Sequence, residues 1–262
     1  MSNLLVEKKE SVAWITLNRP EVRNAFDDEL IASLKTCFSE LGEDQSIRVA
    51  VLAGNGPAFC AGADLNWMKR MAGYGYKENL ADARALADML AALDRLPKPT
   101  IARVHGPAFA GGTGLVAACD IAIGTPLAKF CFSEAKLGLS PATISPYVTR
   151  AIGARAARRY FLSAEVFDAA EACRIGLLSA CVSSSELDSS VEAIIRHLLA
   201  GGGEAHAKIK DLIRAVAGRA VSAALVADTA RRIAEIRVSP EGKEGIASFL
   251  EKRKPSWGPG ES

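Results

Sequence analysis

Histidine is scarce in this chain of 262 residues. His105, His197 and His206 are the three present, and their spacing suits neither a shared metal ion nor a catalytic triad. Paired cysteine motifs are missing too. The six cysteines, Cys37, Cys60, Cys119, Cys131, Cys173 and Cys181, show no CxxC or Cys/His spacing and lie mostly in apolar stretches. They read as reduced core thiols and imply a reducing, cytoplasmic setting. No sign of charge dominates: 32 basic residues face 30 acidic ones, interspersed, for a net charge of +2. Nothing therefore resembles the basic footprint of a nucleic-acid binder. No window reaches the roughly 18 apolar residues that span a bilayer, and the first residues, MSNLLVEKKE, lack the apolar core of an export signal. What is present is an apolar fraction of 49%, enough for one large domain or one domain with an appendage.

Apolar periodicity divides the chain into an α/β part followed by a mostly helical part. Leu4 to Glu7 and Val12 to Asn18 read as strands, with apolar residues on both faces of the second. Asp27 caps a helical pattern of Leu30, Ile31, Leu34, Cys37, Phe38 and Leu41. Val49 to Ala53 reads as a buried strand, and Asn66 to Tyr76 as a loop. A long helix from Glu78 to Leu96 then stops at Pro97 and Pro99. Ile101 to Val104, Asp120 to Ile123 and Lys129 to Phe132 are further short strands. Beyond Pro141 the pattern is helical, over Tyr147 to Leu162, Ala169 to Ile175 and most of Ser184 to Lys252, with one strand near Leu178 to Val182. The run Gly201-Gly202-Gly203 marks a boundary between a core domain, 1–200, and a C-terminal helical region, 201–262. The apolar stripes of that region (Ile209, Leu212, Ile213, Val216; Leu225, Ala230, Ile233, Ile236) need a surface on the core or on a neighbouring subunit.

Two glycine turns carry the chemistry. Pro57 to Leu65 (PAFCAGADL) and His105 to Asp120 (HGPAFAGGTGLVAACD) each read as a strand that ends in small residues and opens a helix. The first turn of a helix has N–H groups with no carbonyl to satisfy them, and they are positively polarised. Two such turns facing one another can hold one oxygen that gains negative charge during a reaction. Taken singly, either turn reads better as a place where small residues let strand and helix pack closely.

These segments resemble the enoyl-CoA hydratase/isomerase (crotonase) superfamily over nearly the whole chain. The resemblance rests on Leu17-Asn18-Arg19-Pro20 with Asn24-Ala25, Phe59 to Leu65, Gly111-Gly112 with Ala118-Cys119-Asp120, and Phe130 to Gly138 with Pro141. It implies a spiral of ββα units with C-terminal helices that form trimers, which pair into hexamers in some members. It implies an acyl-CoA thioester substrate, with no cofactor beyond the CoA that the substrate carries. The Ala63 and Gly111 N–H groups would bind the thioester oxygen. Arg23, Ala25, Ala61, Asp64 and Leu65 would hold the CoA adenine and phosphates, and Glu134 would be the catalytic carboxylate.

The chain departs from the simplest family hydratases at one place. Those use two glutamates, and the first of them aligns with Gly114. A lone carboxylate must both activate water and deliver the proton, or catalyse a different reaction. The turn Gly112 to Leu115, the run Ser133 to Val148 and the tail Ile236 to Gly242 are similar to bacterial hydratases of branched glutaconyl-CoA esters, 3-methylglutaconyl-CoA and isohexenylglutaconyl-CoA, from leucine and acyclic-terpene breakdown. The distal carboxylate of such a substrate needs a polar partner. Lys69, Arg70 and Tyr147 are the candidates by position. A Δ3,Δ2-enoyl-CoA isomerase, which needs one glutamate, and a non-catalytic acyl-CoA-binding protein are the alternatives.

Overall fold

The computed structural model of the chain describes residues 2–258. Its large sheet runs β1 (Leu4–Lys9), β2 (Val12–Leu17), β3 (Val49–Gly54), β4 (Thr100–Val104), β6 (Ile121–Gly124) and β9 (Ala180–Cys181) in that order. Only the β1–β2 pair is antiparallel; each later neighbour is parallel. Parallel strands need a crossover between them, and α1 (Asp28–Glu43) and α3 (Tyr76–Arg95) supply the first two. Every residue of β3 is buried because both sheet faces are covered. Ala50 and Leu52 face the main core with α1, while Val49 and Val51 join Val12, Ile101, Ile123 and Leu187, Val191 and Ile195 of α7 (Leu187–Ala200).

A second, smaller sheet stands beside the first, built from β5 (Ala108–Phe109), β7 (Lys129–Cys131) and β8 (Phe167–Asp168). Isolated bridges, Phe26 to Ala63 and Cys60 to Ala108, extend it backwards along the chain. Each circuit of the chain thus adds one strand to the large sheet and one or two paired residues to the small one. This is the spiral of ββα units expected above. The echo between the two glycine turns arises because they occupy equivalent places in successive circuits.

The segment after the first glycine turn differs from expectation. The loop read at Asn66 to Tyr76 contains a helix, α2 (Leu65–Met71). Asp64 caps it by accepting from Asn66 N and Trp67 N at 2.8 and 3.2 Å, and the buried Trp67 anchors it. Four of its seven residues, Leu65, Asn66, Lys69 and Arg70, are exposed, which masks the apolar periodicity. The strands β5 and β8 are two residues each, too short to show a period.

Helices α4 (Gly111–Ala118), α5 (Ser145–Ser163) and α6 (Ala169–Arg174) complete the inner part of the chain. Past Gly201 and Gly202 come α8 (Gly203–Val216), α9 (Ala223–Val238) and α10 (Pro240–Leu250). Among the described residues, no helix is long and apolar enough to cross a membrane. Helix α8 is tied to the core by Lys210, whose buried ammonium donates to Asp120 Oδ2 at 2.6 Å and to the Lys98 carbonyl at 3.0 Å. Asp120 keeps two bonds from Thr100, N at 2.8 Å and Oγ1 at 2.9 Å, if Lys210 is removed. We predict that Lys210→Met lowers stability by about 2 kcal/mol, read as a lower urea midpoint. An unchanged midpoint would show that the ion pair does not hold α8.

Candidate active site

One row of backbone pairing aligns the site. In the small sheet Cys60, Ala108 and Phe130 stand side by side. Ala63 lies three residues beyond Cys60, Gly111 three beyond Ala108, and Glu134 four beyond Phe130. The three positions singled out in the sequence therefore leave the small sheet at the same edge, from three successive circuits of the chain.

The two turns expose their amides for definite reasons. Ala63 pairs with Phe26 through its neighbours: Phe26 N donates to the Gly62 carbonyl at 2.6 Å and Asp64 N to the Phe26 carbonyl at 2.8 Å. Gly62 has φ +91°, a conformation natural to glycine, which turns the chain between them. At the second turn Ala110 is an alanine with φ +46° and ψ −117°, a strained conformation. It is held there by its N–H to the Cys131 carbonyl at 2.8 Å and by Gly114 N on its own carbonyl at 3.1 Å. Among the described residues, neither the Ala63 N–H nor the Gly111 N–H donates to a protein acceptor. Gly111 also opens α4, so its N–H carries the positive end of that helix.

The glycines that begin α4 allow close contact. A Cβ on Gly111 would stand 2.7 Å from Phe26 Cε2, and one on Gly112 would stand 2.9 Å from Cys60 Cβ. The two turns thus touch through Gly112 and Cys60, and no larger residue fits between them. Burial pushes the Cys60 thiol up to about 12, so it is a packing group and not a nucleophile.

Glu134 lies in a short 3₁₀ helix, Ser133–Leu137, with Leu139 N on its carbonyl at 3.0 Å. Its side chain is partly buried, and Oε2 is buried with no hydrogen-bond partner. Burial pushes its carboxyl above the usual carboxylate range; a bond from its own backbone N–H pulls the other way and is the smaller effect. A carboxylate so placed accepts a proton more readily than a solvated one and can return it.

The residues proposed to hold CoA fall into two groups. Arg23 and Leu65 are exposed. Ala25, Ala61 and Asp64 are engaged with their surroundings. The Ala25 carbonyl accepts from Arg19 Nη1 at 2.6 Å, and Ala61 N donates to the Arg23 carbonyl at 3.0 Å. Asp64 caps α2 and meets Arg19 Nη2 at 3.3 Å, which also pairs with Asp27 at 2.8 Å. Burial raises the Asp64 carboxyl, but the Trp67 and Asn66 N–H groups and the Arg19 guanidinium outweigh it and hold it below the usual range. Arg70 pairs with Asp28 at 2.5 Å on the outer side of α1, while Lys69 is exposed and, among the described residues, has no ion-pair partner. Tyr147 packs partly buried on the core, with the Arg150 guanidinium 5.7 Å from its ring centre.

Two supporting residues had no assigned role in the sequence. Asn24 is fully buried; its Nδ2 donates to the carbonyls of Asn55 at 2.8 Å and Ala58 at 2.9 Å, and its Oδ1 accepts from Arg19 N at 2.8 Å. Arg19 and Asn24 thus brace the chain leading to Ala63. Both belong to the LNRP and Asn-Ala segments quoted above, which was the available signal. The strain at Ala110 leaves no trace in the sequence.

In this α/β spiral two amides without protein acceptors and a half-buried carboxylate follow three adjacent strands of the small sheet, an arrangement that suits an oxygen gaining negative charge beside a group that moves a proton. A family profile described as enoyl-CoA hydratase/isomerase matches residues 7–260. The chain belongs to that family of enzymes. Two solved structures are similar over 98% of the chain. One, from Legionella pneumophila and described as an enoyl-CoA hydratase/isomerase (crotonase), is 46% identical with a TM-score of 0.92 and is covered over 99% of its own length. The other, an enoyl-CoA hydratase from Shewanella pealeana, is 42% identical with a TM-score of 0.95, covered over 96%. A crotonyl-CoA hydratase of Syntrophomonas wolfei is 30% identical over 261 residues, 97% of each chain.

The raised Glu134 carboxyl makes stability depend on pH with a definite sign. The folded state holds this proton more tightly than the unfolded chain, so the buried charge costs stability as pH rises from the unfolded value through the folded one. Glu134→Gln removes that cost. The variant is expected to melt at the wild-type temperature near about pH 4, close to the unfolded carboxyl value, and above it at about pH 8. Equal melting temperatures at both pH values would contradict the burial argument.

Proposed function

We propose that this enzyme adds water across the α,β double bond of an acyl-CoA, and that its substrate is a branched glutaconyl-CoA ester. The observation that carries the reading is the pairing of two unpartnered amides, Ala63 and Gly111, with one carboxylate whose buried Oε2 is unpartnered. In this reading the amides hold the thioester oxygen as it takes on enolate charge. One such donor is worth about 2.7–4 kcal/mol to the transition state. Ionised Glu134 takes a proton from water as the water oxygen bonds to Cβ, and the double-bond electrons move onto the thioester oxygen. Protonated Glu134 then returns its proton to Cα on the same face, which restores the thioester and the carboxylate.

The diacid part of the proposal rests on similarity in the Gly112–Leu115, Ser133–Val148 and Ile236–Gly242 segments and on Lys69, which has no ion-pair partner among the described residues. Arg70 is occupied by Asp28, which leaves Lys69, on the helix that follows Ala63, and the half-buried Tyr147 to meet a distal carboxylate. Arg23, Ala25, Ala61, Asp64 and Leu65 remain the proposed contacts for CoA, with Arg23 and Leu65 the exposed ones. The exposed apolar side chains of the last helices, Ile209, Ile213 and Ile233 among them, support a trimer or a pair of trimers. The isomerase reading is favoured by a single fact, the absence of a side chain at Gly114; it uses the same amides and moves a proton from C2 to C4.

Incubation with 3-methylglutaconyl-CoA or crotonyl-CoA in oxygen-18 water separates the two. Hydration places label in the hydroxyacyl product, and we expect it from the branched diacid ester in preference to crotonyl-CoA. Conversion of a 3-enoyl-CoA without label would establish the isomerase instead. Glu134→Gln is expected to slow turnover at least about 100-fold while binding of the CoA ester persists. A near-normal rate would remove Glu134 from the chemistry.

A further inference from the structure

The first turn of α4 contains three glycines, and each is closed by a different neighbour. Gly111 is closed by the Phe26 ring and Gly112 by Cys60, whose carbonyl oxygen would overlap an added Cβ. Gly114 is closed by a single side chain: an added Cβ would overlap Ile144 Cγ2 and stand 2.9 Å from Ile144 Cβ. We propose that Ile144 determines the acid–base complement of the site, because it fills the space in front of Gly114 and keeps any second carboxylate off the turn that carries the Gly111 amide.

Ile144 is well placed to enforce this. It is 1% exposed, β-branched and therefore restricted in χ1, and belongs to the main core. Its carbonyl accepts from Tyr147 N and Val148 N, both at 3.1 Å, so it cannot retreat without opening the start of α5. The backbone at Ile144 is right-handed helical, φ −87° and ψ −19°, which glycine adopts without a clash. With Ile144 in front of position 114, no carboxylate stands there, and the proton that reaches or leaves substrate carbon passes through Glu134. Gly114 and Ile144 are accordingly a coupled pair: either a side chain stands at 114 or a branched one stands at 144.

The inference rests on the reading of Glu134 as the acid–base group, and its first test needs no turnover. In a double-mutant cycle, Gly114→Ala should melt well below wild type. Ile144→Gly should also melt lower, and Gly114→Ala/Ile144→Gly should be more stable than the sum of the two losses. Strict additivity, or a Gly114→Ala protein as stable as wild type, overturns the steric claim. The second test asks about chemistry. Gly114→Glu/Ile144→Gly should hydrate crotonyl-CoA at least tenfold faster than Ile144→Gly, and its kcat profile should gain a second ionisation. Equal rates with an unchanged profile overturn the proposal. Gly114→Asp in the same background substitutes if glutamate prevents folding; failure of both to fold also overturns it, since the opened space would then not accept a carboxylate. A normal rate in Glu134→Gln, by contrast, removes the acid–base reading and leaves the stability cycle intact.

Discussion

The site depends on backbone pairing between Cys60, Ala108 and Phe130, which makes three distant segments leave one sheet edge together. Side chains play little part in that alignment. What they must do is stay small, because Gly112 lies against the Cys60 carbonyl and Gly111 against the Phe26 ring. The strain at Ala110 persists because hydrogen bonds on both its sides over-determine it, and it turns the Gly111 amide outward. A site built from main chain on packed strands needs no reorganisation when charge develops on a bound oxygen.

Charge is arranged around the site to the same end. Arg19 gathers Asp27, Asp64 and the Ala25 carbonyl, joining the approach to α1 with the residue that follows Ala63. These buried charges are satisfied by one another and so fix geometry. Glu134 differs from these carboxylates: it is partly buried, forms no ion pair among the described residues and keeps an unpartnered oxygen. Two imidazole nitrogens, His105 Nδ1 and His206 Nδ1, are likewise buried without a partner, but Glu134 is the carboxylate among the three, and it stands beside the two open amides, where a substrate proton or a water would be accommodated. Ile144 extends that logic, since it excludes a second such group by occupying its place.

Much of this was legible in the residues. The buried strands at Val49–Gly54 and Thr100–Val104 and the helix capped by Asp27 follow from periodicity and capping, since their partners lie close in sequence or on both faces. Of the small sheet only β7 is legible, as the strand at Lys129 to Phe132; the other pairs, of one or two residues such as Phe26 with Ala63, have no period to detect. Helix α2 was read as a loop because it is seven residues long and only Trp67 is buried, although Asp64 stood as its cap. Gly114 was visible as a departure, but its cause was not: Ile144 is thirty residues away and meets it only after the spiral closes. Nothing in the sequence separates Arg70 from Lys69; the pairing of Arg70 with Asp28, at the start of α1, exists only in the folded chain.

The central claim is that the Ala63 and Gly111 amides polarise the substrate carbonyl. Its most direct test is the infrared spectrum of a CoA ester labelled with carbon-13 at the thioester carbonyl and bound to Glu134→Gln, where no turnover intervenes. Two amides on the oxygen shift the carbonyl stretch to lower frequency than in water, with a narrowed band. A bound ester whose stretch matches the free one would contradict the account.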